Sequence, residues 1–407
     1  MTETLQYTHE FPMARTCPFA PPPEYQEIRE AEPISKIGLP EGKWAWVVSR
    51  HEDVRRVLND RRFSSNRQDP RFPLLVPGAR VRDEDAEKPI ISMDAPEHGP
   101  ARRAVLGEFT VRRMEALRPR IQEIVDEHID KMLAGPLHHG KRSADLVQAL
   151  SLPVPSLVIC ELLGVPYSDH DFFQQRTAKM LKRDTPQPER REAFKAVEQY
   201  MDDLIAQKEA DPTDDLLGRQ IVKLREEGTY RRPALVAMGF LLLLAGHETT
   251  ANMISLGTVA FLDNPEQLAA IKADPGKTLD AVEELLRYFT ITDTVTARLC
   301  LEDTEIGGVT IRAGEGVLAL GYSANRDPDA FANPDSFDIE RGARHHVAFG
   351  FGPHQCLGQN LARMELQIVF DTLFRRIPTL QHTGKVGDLP FKDDASIYGL
   401  YELPVTW

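Results

Sequence analysis

Apolar positions recur at helical spacing over most of the chain and at strand spacing only in short patches. The three- and four-residue period predicts helices over 51–58, 112–132, 144–163, 167–181, 189–208 and 280–289. The stretch 231–262 is apolar nearly all round, the pattern of a long helix buried on every side. A further amphipathic run covers 357–375. Short β-like runs at 34–39 and 44–48 flank the turn signal Pro40-Glu41-Gly42, and 304–317 carries a hairpin signal at Gly307-Gly308. Residues 1–32 are Pro-rich and read as irregular, 65–90 mix Pro, Arg and Asp without period, and 383–401 are punctuated by Gly, Asp and Pro. The pattern is that of a mainly α protein with small β-sheets.

Composition narrows this picture. The 407 residues hold no Gly/Ser linker, low-complexity tract or clear internal repeat, so one domain over 1–407 is expected. A net charge of −13 argues against nucleic acid as a partner, while leaving room for a local basic patch. Four widely spaced cysteines do not suggest a disulfide framework, and Cys17, Cys160 and Cys300 read as ordinary residues of a reducing cytoplasm. Met1 to Glu10 lacks the apolar core of a signal peptide, and the longest apolar run, 234–246, is too short to cross a bilayer. A soluble cytoplasmic protein with no membrane partner is expected.

The chemistry concentrates at Phe349-Gly350-Phe351-Gly352-Pro353-His354-Gln355-Cys356-Leu357-Gly358. The run that follows places Cys356 at or just before a helix N-terminus, where free N–H groups and the helix dipole favour a thiolate. Gly350, Gly352 and Gly358 remove side chains where a large flat group could approach the backbone. A Cys thiolate is the axial haem ligand that favours O–O cleavage. Three other readings stand beside this one. A lone Cys is often a buried structural residue. A zinc site needs about four ligands, and His354 with Cys356 supplies two. Gly350-x-Gly352 suggests a dinucleotide loop, but Gln355 holds the third glycine position.

The ten residues resemble the haem-binding loop of the cytochromes P450, and the resemblance extends over nearly the whole chain. It implies the P450 fold, with haem b held between a long distal helix and the proximal Cys356 loop, and Cys356 as the iron ligand. Ala245-Gly246-His247-Glu248-Thr249-Thr250 inside the long helix is similar to the family's distal motif. Polar side chains there are costly unless used or paired, and a Thr bonding its own i−4 carbonyl is the plain alternative. The resemblance makes Thr249 the oxygen-side hydroxyl and Glu248 the acid of a proton relay. Gly246 would let haem or O2 come close, and His247 takes no role.

The same resemblance assigns His98, Arg102, Arg298 and His354 as donors to the haem propionates, with Phe349, Gly350 and Gly358 in the haem loop. Gly99 and Pro100 depart from the family's pattern and put the start of the helix at His98 in question. Glu284-x-x-Arg287 looks like the family's structural pair, with Arg341 as third partner; alone, an i,i+3 pair is usually a weak surface contact. Residues 65–90, the helix–loop–helix over 167–208 and the turn around 396–399 would shape the substrate pocket, the second of these as a mobile lid. His345 and His346 read as ordinary.

What this implies is a monooxygenase that hydroxylates a mostly apolar small molecule with O2. The chain has no credible flavin or NAD(P)H motif, so a ferredoxin and its NAD(P)H-dependent reductase are the expected electron donors. They would dock on a basic face for which Arg102, Arg103, Arg112, Arg113 and Arg363 are candidates. The protein is expected to be a monomer. The N-terminal Thr16-Cys17-Pro18-Phe19 and Pro22-Pro23-Glu24-Tyr25 resemble the actinobacterial, Streptomyces-type P450s acting on secondary metabolites, steroids, vitamin D or xenobiotics. A peroxide-driven enzyme and a non-catalytic haem sensor are the alternatives; the presence of both Glu248 and Thr249 argues against each.

Overall fold

The computed structural model describes residues 7–76, 86–137, 140–292 and 296–407. Its first part runs α1 (Glu24–Ala31), β1 (Ile34–Leu39), β2 (Lys43–Val48), α2 (His51–Asn59), β3 (Phe63–Ser64), α3 (His98–Leu106) and α4 (Val111–Ala134). Then come β4 (Ser143–Asp145), α5 (Pro153–Leu163), α6 (His170–Leu181), α7 (Gln187–Ala210), α8 (Leu216–Glu226), α9 (Arg232–Asp263), α10 (Pro265–Ala273) and α11 (Thr278–Phe289). The last part holds β5 (Ala297–Cys300), β6 (Thr304–Ile306), β7 (Val309–Ile311), β8 (Gly316–Ala319), α12 (Gly321–Ala324), α13 (Gln359–Arg376), β9 (Gln381–His382) and β10 (Pro404–Thr406).

The apolar stretch becomes α9, 32 residues long, and every position from 250 to 261 is buried. α5, α7 and α13 pack directly on it, and α4 packs on α5 and α13. Polar residues survive inside by bonding their own helix: Ser255 Oγ donates to Ala251 O at 3.1 Å and Thr258 Oγ1 to Ile254 O at 2.8 Å. Among the described residues α9 alone is long and apolar enough to cross a membrane, but 61% of its most apolar window is buried against the rest of the protein. The expected hairpins form. Glu41 and Gly42 both take positive φ in the β1–β2 turn, as do Gly307 and Gly308 between β6 and β7. The main sheet has the order β1-β2-β8-β5-β3, with β2 and β8 parallel and the other pairs antiparallel.

Several expectations need correction. The Pro-rich N-terminal region contains α1: Pro23 caps the helix, Glu24 and Glu27 fill its first turn, and Tyr25 and Ile28 bury one face. The prolines there mark a helix start. The helix expected over 144–163 divides into β4, a π-type turn over Val147–Ser151, and α5. Pro153 and Pro155 cannot donate within a helix and are tolerated only in the first turn of α5. α8 and α10 fall in stretches with no predicted helix, although Asp215 caps α8 by accepting from Gly218 N at 2.9 Å. Of the loop expected over 65–90, residues 77–85 lie outside the described residues, as do 293–295 of the segment after α11.

The approach to Cys356 is held by a buried ion network. Arg287 Nε and Nη2 each donate to the Glu284 carboxylate at 2.7 Å, and Arg341 Nε donates to Glu284 Oε1 at 3.2 Å. The remaining guanidinium hydrogens satisfy loop carbonyls, with Arg287 on Asn325 O and Pro334 O at 2.8 Å and Arg341 on Asn333 O at 3.1 Å. Glu284 and Arg287 are fully buried, so this i,i+3 pair is not the weak surface contact its spacing alone suggests. Arg287→Met removes the bidentate partner of a fully buried carboxylate, leaving it only the single Arg341 contact, and should lower unfolding stability by about 3–5 kcal/mol in chemical denaturation. Arg344→Met, which removes an exposed pair with Asp280, should cost less than about 1 kcal/mol.

Candidate functional site

The segment before α13 folds as a tight backbone loop. Gly350 N–H donates to Val347 O at 2.9 Å, Gln355 N–H to Gly352 O at 3.0 Å, and Cys356 N–H to Phe349 O at 2.8 Å. Gly350 and Gly352 take φ of +71° and +72°, which explains both glycines without a flat ligand. The neighbour crowding Gly352 is α2, through Leu58 O and Asn59. Gly358 has open space around it and serves as the N-cap of α13. Cys356 thus sits two residues before the cap. Burial pushes its thiol up, and this outweighs the Gly358 N–H, Arg102 and Arg363, which pull it down. The helix terminus alone does not make a thiolate here. A bound metal does so directly, because a coordinated thiol is deprotonated.

Basic groups converge beside this loop. His98 is the first residue of α3, so Pro100 falls within the first turn and does not displace it. Its ring lies on that of His354, with centroids 4.0 Å apart, and its buried Nε2 has no hydrogen-bond partner. Arg298 is buried in β5 and donates to Ala297 O at 2.8 Å, so it is no exposed strand-edge residue. Burial, with Arg67 nearby, brings its guanidinium down to about 10. His354 is brought down to about 3 by burial and by the fields of Arg298, His98, Arg102 and Arg67. Asp94 offsets this charge at His98 and Arg298 while accepting from Ser64 Oγ and, at 2.8 Å, from Ser65 N–H. Arg67 belongs to the cluster and was not among the expected residues; nothing in its loop sequence separates it from other arginines. Arg102 lies in the cluster but turns Nη2 to Gln355 O at 2.5 Å, bracing the Cys356 loop.

Arg363 is likewise turned inward. Its Nε donates to Glu283 Oε1 at 2.5 Å, its guanidinium lies 4.6 Å from the centre of the Phe349 ring, and Glu283 also contacts His346 Nε2 at 3.1 Å. Against burial, His346 and Arg363 draw the Glu283 carboxyl down to about 2. His346 is therefore part of the brace behind the loop, a role its sequence context does not show. Of the five arginines expected on a docking face, Arg103 and Arg112 are exposed, Arg113 pairs with Glu108 at 3.6 Å, and Arg102 and Arg363 are engaged inside.

Within α9, Leu241, Ala245 and Thr249 form a less buried strip at four-residue spacing, and Ala245 is exposed. Thr249 Oγ1 donates to Ala245 O at 2.7 Å, the local bond that the plain alternative foresaw, but on this open face. Glu248 is buried beside it and pairs with Lys392 Nζ at 2.5 Å. Gly246 does not serve an approach from the open face, because a Cβ there would stand 2.7 Å from Ile159 of α5. That glycine serves helix packing.

These groups fit haem. An orphaned imidazole nitrogen, three guanidinium groups and a second imidazole suit two carboxylates, and a buried sulfur suits iron. Cys356 would hold the iron, and His98, Arg298, His354 and Arg102 would meet the carboxylates. The likeness to known proteins agrees. A family profile described as Cytochrome P450 matches residues 277–390. Pentalenic acid synthase from Streptomyces avermitilis is 48% identical over 98% of this chain and 97% of its own length. Vitamin D3 dihydroxylase from Streptomyces griseolus is 45% identical over 98% of this chain and 96% of its own. The crystal structure of cytochrome P450 MoxA from Nonomuraea recticatena superposes with a TM-score of 0.88 at 59% identity, covering 98% of both chains. With likeness of this degree over nearly its full length, the chain belongs to the cytochrome P450 family and is a monooxygenase that carries haem b.

Proposed function

We propose that this monooxygenase hydroxylates a moderately large, mostly apolar small molecule, a secondary metabolite, steroid-like compound or xenobiotic. The relatives named for pentalenic acid and vitamin D3 support that class. The observation that carries the site reading is the open strip of α9, where the Thr249 hydroxyl stands beside a buried, ion-paired Glu248 on the helix that packs against α13. When bound, haem supplies activation of O2 at an iron whose thiolate ligand favours O–O cleavage. Cys356 is the ligand, Phe349 and Gly350 shape its loop, and Gly358 donates to its sulfur. His98, Arg102, Arg298 and His354, joined by Arg67, anchor the propionates. Thr249 holds a proton at Oγ1 on the Ala245 carbonyl, and the Glu248 carboxylate, ionised beside Lys392, would accept a proton from the Lys392 ammonium and pass it on as the replacement.

P450s of this type take electrons from ferredoxin-type partners. For this chain the donors are a ferredoxin and its NAD(P)H-dependent reductase, with the exposed Arg103 and Arg112 among the basic groups that would attract an acidic partner. The working unit is a single-domain monomer in the cytoplasm, a reading that agrees with the burial of α9 inside the protein. Turnover with ferredoxin and reductase, against turnover with peroxide alone, separates this from a peroxide-driven enzyme.

Two outcomes test the assignments. In Thr249→Ala, NADPH consumption should persist while product per NADPH falls by roughly tenfold or more and peroxide rises, since a positioned proton donor is worth ~10²–10⁴-fold. Unchanged coupling would remove Thr249 from the relay. Arg298→Leu should purify with several-fold less haem, while its apoprotein unfolds at a higher temperature because one buried like charge is gone. Full haem content together with an unchanged apoprotein midpoint would exclude Arg298 as a propionate anchor.

A further inference from the structure

Lys392 stands on the C-terminal turn, whose two sides join where Lys392 N–H donates to Gly399 O at 2.9 Å. Gly399 presses on α9: a Cβ at this position would stand 2.0 Å from Asn252 Oδ1, so the close approach requires glycine. Beside that contact Lys392 Nζ meets Glu248 Oε1 at 2.5 Å, and Asn252 Nδ2 approaches the same oxygen at 3.5 Å. The Lys392 and Glu248 side chains are both nearly buried. Burial pushes the Glu248 carboxyl up, and Lys392, His247 and Asn252 bring it below its ordinary value. The charged and titratable groups around it are His247 on its own helix and Lys392 and Tyr401 on the turn, with Lys182 of the segment after α6 lying beyond Asp394.

The next residues of the turn are bonded to the end of α6. Arg183 N–H donates to Asp394 O at 2.7 Å, Ser396 N–H to Leu181 O at 2.9 Å, and Lys182 Nζ lies 3.3 Å from Asp394 Oδ2. The Arg183 guanidinium donates to Asp393 O. A second tie runs through His247, whose Nδ1–H donates to Leu243 O at 2.8 Å and whose Nε2 meets Thr177 Oγ1 of α6 at 3.1 Å. One helix is therefore bonded both to the residue preceding Glu248 and to the turn that carries the ion-pair partner of Glu248.

Resting on the reading of Glu248 as the relay acid, we propose that Lys392 is a positioning residue that fixes the Glu248 carboxylate and transmits to it any displacement of the C-terminal end of α6. In Lys392→Met the buried carboxylate loses its cation and takes up a proton at neutral pH. Infrared difference spectra of Lys392→Met against Lys392→Met/Glu248→Gln should then show a protonated buried carboxyl, which wild type against Glu248→Gln lacks and Lys392→Arg largely abolishes. Backbone hydrogen exchange at 181–183 and 394–396 should quicken in Lys392→Met, and product per NADPH should fall several-fold. An ionised Glu248 in Lys392→Met, or unchanged exchange at 181–183, overturns the proposal. If Glu248→Gln couples normally, the relay reading fails while the infrared result still judges the lock. If Glu248→Gln is impaired and Lys392→Met matches wild type, the role of Lys392 fails. Asp394→Asn tests the same link from the α6 side should Lys392→Met not fold: exchange at 181–183 and coupling must both change, and no change in either contradicts the proposal.

Discussion

Positive charge taken out of water must meet negative charge or the fold loses stability. Arg67, Arg102 and Arg298 crowd around His98 and His354 in a space where Asp94 offers partial compensation. The arrangement makes sense with two further carboxylates, and haem b brings two. The cluster draws on elements far apart in sequence: the loop after β3, the first residues of α3, the strand β5 and the loop before α13. Binding one dianionic group therefore ties these four segments together. On this account the cofactor is a structural requirement as much as a chemical one.

The proximal and distal sides solve different problems. The Cys356 loop needs rigidity. Backbone turns supply it, together with the Arg102 contact to Gln355 O and the Glu283–Arg363–His346 brace behind Phe349. The buried Glu284–Arg287–Arg341 network fixes the chain that leads into the loop. The distal helix needs polar groups in an apolar core. It keeps most of them on i−4 carbonyls and exposes Thr249 on the strip shared with Ala245. Glu248 cannot be satisfied within the helix and is met from the C-terminal turn. The acid's environment is thus set by a segment more than a hundred residues away in sequence.

Helices with strong periodicity were legible in the chain, and α9 most of all, because a stretch apolar nearly all round is the pattern of a helix with no solvent-facing side. The Cys356 loop was legible from its residues, and so was the special place of its glycines. Positive φ at Gly350 and Gly352 requires glycine in its own right, and helix packing requires it at Gly246 of α9. The Pro-rich start hid α1, because proline signals a helix beginning as readily as a break. The break near Pro153 was passed over because the apolar period ran through it. Arg67, His346 and Lys392 could not be found by spacing. Their importance arises from tertiary contacts with groups that the chain brings from elsewhere.

The central claim is that Cys356 delivers a thiolate to haem iron in the pocket built by these segments. The most direct measurement is the absorption spectrum of the purified, reduced protein under carbon monoxide, beside that of Cys356→His. The account predicts a thiolate-type spectrum for the wild type and its loss in the variant. An imidazole-type spectrum in the wild type, or a thiolate-type spectrum retained by Cys356→His, would contradict it.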